Sequence, residues 1–203
     1  MTFQLFESPT SPFVRKVNVV IAELGLSDQV ERVAAAGTPM APGTMPVAHN
    51  PLGKIPTLAR PEGPALFDSR VICRYLDAHA GGALYPATRL WEVLTLEAMA
   101  DGMLDAAVSM IYEARCRPEE KRFPDWVEAQ WAKVARGLDA AEATWLPHLA
   151  GKVDAGQIAL GCALGYLDFR FADRDWRHGR PGLAAWFAEF GQRPAMLETA
   201  PVG

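Results

Sequence analysis

The sequence predicts a mixed α/β N-terminal domain followed by an all-α C-terminal domain. Two observations predict this division. Strand and helix signals alternate as far as the glycine pair Gly81 and Gly82, and beyond that pair every periodic apolar segment has helical spacing. The chain has 203 residues, 50% of them hydrophobic, which is enough to bury a sizeable core. We expect the two domains to cover residues 1–82 and 88–203.

The first domain has the element order β-α-β-loop-β-β-α. A short apolar strand over residues 3–6 leads into a helix that begins at Pro12, because proline suits the first helical position, and ends at Gly25. Further strands are expected over residues 29–33, 55–60 and 65–67, with a loop over residues 37–46. The last helix begins at Ser69. Its inward-facing residues are expected to be Val71, Ile72, Tyr75 and Leu76.

Helices account for the whole of the second domain. The chain enters a long helix over residues 90–115. The next helix begins near Pro124, and its apolar residues recur about every 3.5 positions: Val127, Trp131, Val134, Leu138, Ala141 and Trp145. A helix over residues 155–171 is apolar nearly all round, which is typical of a central buried helix. Shorter helices are expected over residues 182–190 and after Pro194.

Composition and charge argue against several classes of function. A net charge of −4 without a basic block disfavours a nucleic-acid partner. No apolar run is long enough to span a bilayer and no secretory signal is visible, so we expect no membrane partner and a cytoplasmic location. The three cysteines are widely spaced and odd in number, which argues against a disulfide framework and a metal site.

The first candidate site is Ser11, at a strand-to-helix junction just before Pro12. Unpaired backbone N–H groups and the positive end of the helix dipole favour an anion there, and a thiolate is such an anion. The serine hydroxyl can donate one more hydrogen bond to a sulfur. The alternative is that Ser11 only caps the helix, since serine is a favoured N-cap. Arg15, one turn further on, could add positive potential or lie at the surface.

The second candidate site is the Ile55–Pro56 pair, at the start of an apparent strand. Proline is unusual there because it cannot donate to a sheet. A cis peptide bond would explain it and would leave the Ile55 backbone free to pair with a peptide ligand. An ordinary loop proline is the alternative, because cis bonds are a small minority of X–Pro bonds.

The third candidate site is Asp68-Ser69, where a strand leads into a helix. The bare N–H groups of the helix N-terminus suit a carboxylate. A plain N-cap is the alternative explanation.

Together, these junctions resemble the glutathione S-transferases, in particular bacterial cytosolic members with a serine at the thiol-contact position. The resemblance rests on Ser-Pro-Phe-Val-Arg-Lys at residues 11–16, Asn-Pro-Leu-Gly-Lys-Ile-Pro at 50–56 and Asp-Ser at 68–69, in this order and spacing. It extends to residues 100–102 and 159–168 in the helical half. The resemblance implies a thioredoxin-like N-terminal domain, the glutathione transferase architecture, glutathione as co-substrate and no metal.

The resemblance also implies roles for individual residues. Ser11 would donate a hydrogen bond to the glutathione sulfur and favour its thiolate. Ile55, held by cis-Pro56, would pair through its backbone with the cysteinyl part of glutathione, and Asp68 and Ser69 would hold the γ-glutamyl end. Lys54 or His49 would approach the glycyl carboxylate, although simple solvent exposure is an equal alternative for both side chains.

In the helical half, Asp101 and Tyr112 share one face of the long helix. The resemblance implies that this helix lines a homodimer cleft and the second-substrate pocket, with Asp101 reaching a ligand amino group across the dimer. A solvated polar stripe is the alternative for Asp101, and a core position is the alternative for Tyr112. The buried helix departs from the family pattern, because Asp154 and Gln157 replace a Ser/Thr cap followed by Asp, and swapped roles would preserve the reciprocal box.

The function expected is glutathione transfer to a small electrophile. One alternative is a binding or interaction module that keeps the fold with little turnover, since fold does not fix function. A glutathione-dependent thiol–disulfide reductase is disfavoured, because that chemistry wants a cysteine where Ser11 stands.

Overall fold

The computed structural model describes residues 2–202. Its strands are β1 (Phe3–Glu7), β2 (Val30–Ala34) and β3 (Thr57–Ala59). The helices of the α/β part are α1 (Pro12–Glu23) and α2 (Ser69–His79). The remaining helices are α3 (Leu90–Cys116), α4 (Pro124–Ala140), α5 (Leu146–Leu149), α6 (Ala155–Arg170), α7 (Pro181–Phe190) and α8 (Pro194–Glu198). The α/β fold class followed by an all-helical region is confirmed.

The described strands form one sheet in the order β2-β1-β3. β1 is parallel to β2 and antiparallel to β3, with Phe6 opposite both Val33 and Thr57. The strand expected over residues 65–67 is reduced to a single antiparallel bridge between Leu58 and Leu66, because the chain turns into α2 directly afterwards. β3 begins only after Pro56, since proline has no N–H to donate to the ladder.

α1 and α2 pack against each other and bury the apolar side chains of both helices. Val71 was expected to face the core but is 48% exposed, whereas Cys73 is fully buried in its place. Ile72, Cys73 and Leu76 form the buried stripe of α2. Val71 lies about 100° around the helix from its neighbour Ile72, which places it outside that stripe. Tyr75 is half-buried, with its ring edge-on to that of Phe3.

The described chain divides into two compact units. The first comprises the residues up to Leu90 together with those from Pro194 onwards, and the second is Trp91–Arg193. This division differs from the expected ranges 1–82 and 88–203 in two places. The first unit continues to Leu90, and it also takes the residues from Pro194, because α8 packs against α1.

Within the second unit, α6 is buried almost all round, as its apolar composition predicts. Gly156 allows this close packing, since a Cβ there would lie 3.0 Å from both the Leu96 Cβ and the Val93 carbonyl oxygen on α3. The apolar periodicity that begins at Pro124 holds through α4, and the helix then continues through a π-helical turn at Ala141–Trp145 into α5. No helix among residues 2–202 is long and apolar enough to cross a membrane.

Candidate functional site

Strand pairing brings the first two candidate sites to the same end of the sheet in the first unit. β1 runs towards Ser11, and β3 starts immediately after Pro56. Because the two strands are antiparallel with Phe6 opposite Thr57, the end of β1 lies beside the start of β3. Ser11 and Pro56 therefore share the same end of the sheet.

A second antiparallel pairing places the third candidate site at the same end of the sheet. Leu66 pairs with Leu58 in both directions, with N···O distances of 3.0 and 2.8 Å. The chain that leaves Leu66 consequently runs back alongside β3 towards Pro56 before α2 begins at Ser69. The N-terminus of α2, at Asp68 and Ser69, thus lies at the end of the sheet where α1 begins after Ser11.

Ser11 caps α1, and its hydroxyl oxygen accepts a hydrogen bond from the Val14 N–H at 3.3 Å. The backbone also closes around it, because the Ser11 N–H donates to the Ser8 carbonyl at 3.1 Å. A hydroxyl that accepts one hydrogen bond still has its own proton to donate. The capping interaction and donation to a sulfur are therefore compatible at Ser11.

The loop before Ile55 is held by the buried side chain of Asn50. Its Nδ2 donates to the Lys54 carbonyl at 3.0 Å and to the Thr57 hydroxyl at 3.2 Å, while its Oδ1 accepts from the Leu52 N–H. Thr57 donates in turn to the Lys54 carbonyl at 2.8 Å. These bonds shape the chain on both sides of Ile55, so Asn50 positions this site.

The Ile55–Pro56 peptide bond is cis, as predicted. Pro56 is buried and Ile55 is half-buried. Among residues 2–202, none forms a hydrogen bond with the backbone N–H or C=O of Ile55. The Phe67–Asp68 bond is also cis.

His49 and Lys54 are both exposed, which agrees with the alternative of solvent exposure and leaves them accessible to a ligand. The His49 ring packs against Phe6, with 5.1 Å between the ring centroids. Between His49 and Lys54 in the sequence, Gly53 has a φ of 58°, which lies in the left-handed region that favours glycine. The Gly53 N–H donates to the Asn50 carbonyl.

Asp68 caps α2, and its carboxylate accepts from the Arg70 N–H at 3.0 Å and from the Arg70 guanidinium at 2.9 Å. Partial burial would raise the pKa of Asp68, but the hydrogen bonds and charge of Arg70, with the charge of Lys16, outweigh burial and lower it. The carboxylate is thus ionised at neutral pH. Ser69 is buried at the first position of the helix.

Comparison with known proteins decides the family. Residues 10–79 match the family model described as the glutathione S-transferase N-terminal domain, and residues 124–189 match that of the C-terminal domain. The chain belongs to the glutathione S-transferase family. It is 32% identical over 203 residues to the uncharacterized GST-like protein YibF of Escherichia coli K12, an alignment that covers 98% of each chain.

Solved structures of other glutathione S-transferases agree. A family member from Pseudomonas fluorescens Pf-5 with bound glutathione is 44% identical and superposes with a TM-score of 0.96 over 100% of both chains. A second structure from that organism contains S-(propanoic acid)-glutathione and has a TM-score of 0.91, with 44% identity over 99% of this chain and 100% of that one.

The helical unit of this family member holds the two remaining candidates. Asp101 is buried on α3, so the solvated stripe considered for it is wrong. Tyr112, three turns further on, is half-buried. The phenol of Tyr166 on α6 lies near Tyr112, and burial raises the pKa of Tyr166 despite the charges of Arg170 and Arg115. Among the described residues, no group of His, Cys, Asp and Glu is suited to a metal ion.

Three residues of the first unit have contacts that their sequence surroundings do not reveal. Asn50 shapes the loop before Ile55, and the signal for this Asx-type loop is its position before a Pro-Leu-Gly turn. Lys16 has no sequence signal for burial, yet it is fully buried on α1 and its charge acts on Asp68. For Arg15, the surface position that was one of two alternatives is wrong, because its side chain is 8% exposed and donates to the Met196 carbonyl at 3.0 Å.

Proposed function

We propose that this chain is a glutathione transferase that binds glutathione, stabilises its thiolate through Ser11 and directs it at a small electrophile. The observation that carries the proposal is the meeting of three helix and loop junctions at one end of the sheet. One of them offers a hydroxyl whose proton is free to be donated while its oxygen caps α1. Two glutathione S-transferase structures from Pseudomonas fluorescens contain glutathione or its conjugate, which supports the same ligand here.

Glutathione would lie across this end of the sheet with its backbone paired to Ile55, whose N–H and C=O have no partner among residues 2–202. Its γ-glutamyl carboxylate would meet the N-terminus of α2 at Ser69, and its ammonium would face the ionised Asp68. The glycyl carboxylate would lie towards the exposed side chains of Lys54 and His49.

Chemically, the site would act on the sulfur. The Ser11 O–H and the positive end of α1 stabilise the thiolate more than the thiol, and each unit by which they lower the thiol pKa corresponds to about 1.4 kcal/mol. The thiol proton leaves to solvent. The sulfur electron pair then forms the C–S bond, while the bond to a leaving halide, the C–O bond of an epoxide or the π bond of an enone breaks and keeps its own electron pair. Ser11 forms no covalent intermediate, so binding, electrostatics and proximity supply the catalysis.

The helical unit would supply the second-substrate pocket, with Tyr112 at its border and Asp101 on the same helix. We also propose that the protein works as a homodimer in the cytoplasm, with no nucleic-acid or membrane partner. A binding module with little turnover is the outcome expected if glutathione binds but no electrophile is conjugated.

The test compares Ser11→Ala with Ser11→Gly. Glycine preserves most of the capping free energy, so Ser11→Gly is expected to stay within a few tenths of a kcal/mol of wild type, whereas Ser11→Ala loses about 1 kcal/mol. Both variants lose the donated hydrogen bond, so kcat/KM is expected to fall about 10- to 100-fold in each. The readouts are urea denaturation, glutathione affinity by calorimetry, and conjugation of halogenated aromatics, epoxides and enones. Peroxides are assayed separately, because two glutathiones reduce a peroxide and are oxidised to the disulfide.

Two results would contradict the proposal. If wild type does not bind glutathione, the enzyme interpretation fails. If wild type and Ser11→Gly turn over equally, the role given to Ser11 is wrong even though the family assignment stands.

A further inference from the structure

A cavity of about 400 Å³ opens beside Ser11 within the first unit. It is bounded by the end of β1, one face of α1, β2 and the segment after Met196. Its polar lining includes Ser8, Ser11, Arg15, Asn18, Arg32 and Thr199. The proposed thiolate chemistry uses only Ser11 from this set.

Arg15 is the unusual member of the lining. It is 8% exposed, and its Nη2 donates to the Met196 carbonyl at 3.0 Å. Its Nε and Nη1 are buried and have no hydrogen-bond partner among residues 2–202. A guanidinium has five N–H donors, and buried charged donors without acceptors are costly. A ligand that supplies acceptor oxygens to Arg15 would therefore bind with a strong, charge-assisted interaction.

The other charges of the cavity do not occupy Arg15. Arg32 is paired with Glu7 at 2.9 Å and also contacts Asn18, so these two charges offset each other at the rim. Glu198 lines the cavity too, but it is exposed, and its charge is screened by solvent. Arg15 is left as the buried cation of the cavity for which no carboxylate partner is seen in residues 2–202.

The position of Arg15 on α1 relates this cation to the thiolate site. Its N–H donates to the Ser11 carbonyl at 3.0 Å, so it lies one helical turn after Ser11. Side chains on a helix lean towards its N-terminus, which directs the Arg15 side chain back over the turn that Ser11 begins. A carboxylate held by Arg15 and a sulfur held by Ser11 would thus be separated by only a few bonds of a bound conjugate.

We propose that Arg15 and this cavity form a carboxylate-binding subsite, and that the second substrates are short electrophiles bearing a carboxylate, such as α,β-unsaturated acids. The substrate class rests on the proposed transferase function, whereas anion binding at Arg15 does not. In the reaction, the thiolate adds to the β-carbon, the C–S bond forms and the C=C π bond breaks. The electron pair passes to the α-carbon, which takes a proton from solvent, so nothing is oxidised or reduced.

The decisive pair of substrates is acrylate and acrylamide, which share a shape and a reacting carbon but differ in charge. In Arg15→Met, the ratio of kcat/KM for acrylate to that for acrylamide is expected to fall at least about tenfold, because the charged hydrogen bonds to the carboxylate are lost. Arg15→Lys keeps the charge without the planar fork and should fall between the two. Arg136→Met removes an exposed arginine of the helical unit and should leave the ratio at the wild-type value.

A binding measurement without glutathione keeps the subsite separate from turnover. Propanoate is expected to bind wild type at least about tenfold more tightly than propanamide by calorimetry, and this preference should vanish in Arg15→Met. If no electrophile is conjugated but propanoate still binds through Arg15, the transferase proposal fails and the subsite stands.

Circular dichroism checks that each variant is folded, and Arg15→Lys serves if Arg15→Met is not. Equal binding of propanoate and propanamide to wild type would overturn the subsite. So would an acrylate-to-acrylamide ratio that neither Arg15 variant changes, which is what a purely structural bond to Met196 predicts.

Discussion

At the scale of single residues, Ser11 shows that a structural and a chemical role can belong to one hydroxyl. Its oxygen accepts the Val14 N–H as an N-cap, and the same hydroxyl retains a proton for a ligand. Substituting Ser11 with alanine alone would mix lost stability with lost chemistry. This is why the glycine variant is needed beside it.

Asp68 carries a prediction about acid. Because Arg70 and Lys16 lower its pKa below the ordinary value of 3.8, Asp68 stays ionised and able to hold an ammonium group across the neutral range. We expect glutathione affinity to hold through the neutral range and to weaken in acid, as the pH falls through the lowered pKa and protonation removes the charge. Asp68→Asn should bind about tenfold more weakly at neutral pH and should lack this acid step.

Calorimetric titration of glutathione from neutral pH down through the acid range in which Asp68 protonates measures both effects, as far as the protein stays folded. Glu62→Gln, which alters an exposed carboxylate of the same unit, is the matched control and should follow wild type. The role of Asp68 fails if Asp68→Asn binds glutathione as tightly as wild type at neutral pH. The stability linked to this carboxylate has the same sign, present above pH 3.8 and lost as the pH falls through the lowered pKa.

At the scale of elements, the start of α6 differs from a simple surface cap. Asp154 is 0% exposed, and its Oδ1 accepts from the Gln157 N–H at 3.1 Å. Its Oδ2 lies 2.9 Å from the His148 Nε2, close enough for an ion pair with a protonated His148, although the two groups are not aligned as a hydrogen bond. The Gln157 Nε2 donates to the carbonyls of His148 and Lys152. One buried carboxylate therefore joins the turn before α6 to the helix itself.

We expect Asp154→Ala to cost about 2 kcal/mol or more, above the ~1 kcal/mol of an ordinary cap, because buried donors also lose their acceptor. Asp154→Asn retains the capping oxygen and should recover the part of the loss that belongs to the cap. Urea denaturation of the two variants separates these contributions. A loss for Asp154→Ala below 1 kcal/mol would show that the buried network adds nothing to the cap.

Sequence periodicity defined these elements better than it defined their faces. The starts of α1, α2 and α6 follow from local signals, since Pro12, Asp68 and Asp154 satisfy the requirements of helix N-termini by themselves. The exposure of Val71 did not follow, because a shift of one position changes which side chain of α2 faces the core. Likewise, the π-helical turn at Ala141–Trp145 interrupts an apolar repeat that looks continuous along the chain.

At the scale of the whole molecule, the proposed homodimer makes a prediction of its own. Trp91, on the first turn of α3, is 75% exposed, and aromatic side chains are enriched in protein–protein interfaces. We expect light scattering to give twice the chain mass of 22.1 kDa at micromolar concentration, and Trp91→Glu to shift the protein towards monomer. Phe123→Glu, at another exposed aromatic, is the control and should remain dimeric. A monomeric wild type would remove the dimer from the proposal.

Most of the candidate site was accessible from the sequence, because each junction is built by residues that are neighbours along the chain. Ser11 before Pro12, Ile55 before Pro56 and Asp68 at the start of α2 are local arrangements, and their order and spacing pointed to the family. These junctions meet at one end of the sheet because of the register between β1, β3 and Leu66, which local signals do not specify.

Other features depended on partners far along the chain. Arg15 could be weighed only as a surface or near-thiolate residue from its own surroundings, since its acceptor on Met196 is 181 residues away. Lys16 and Asp101 are buried for the same kind of reason, because burial of a charged side chain depends on which distant segments pack over it. Helix caps and turns need only the next few residues, whereas burial, register and the Arg15 cavity exist only once the chain has folded back on itself.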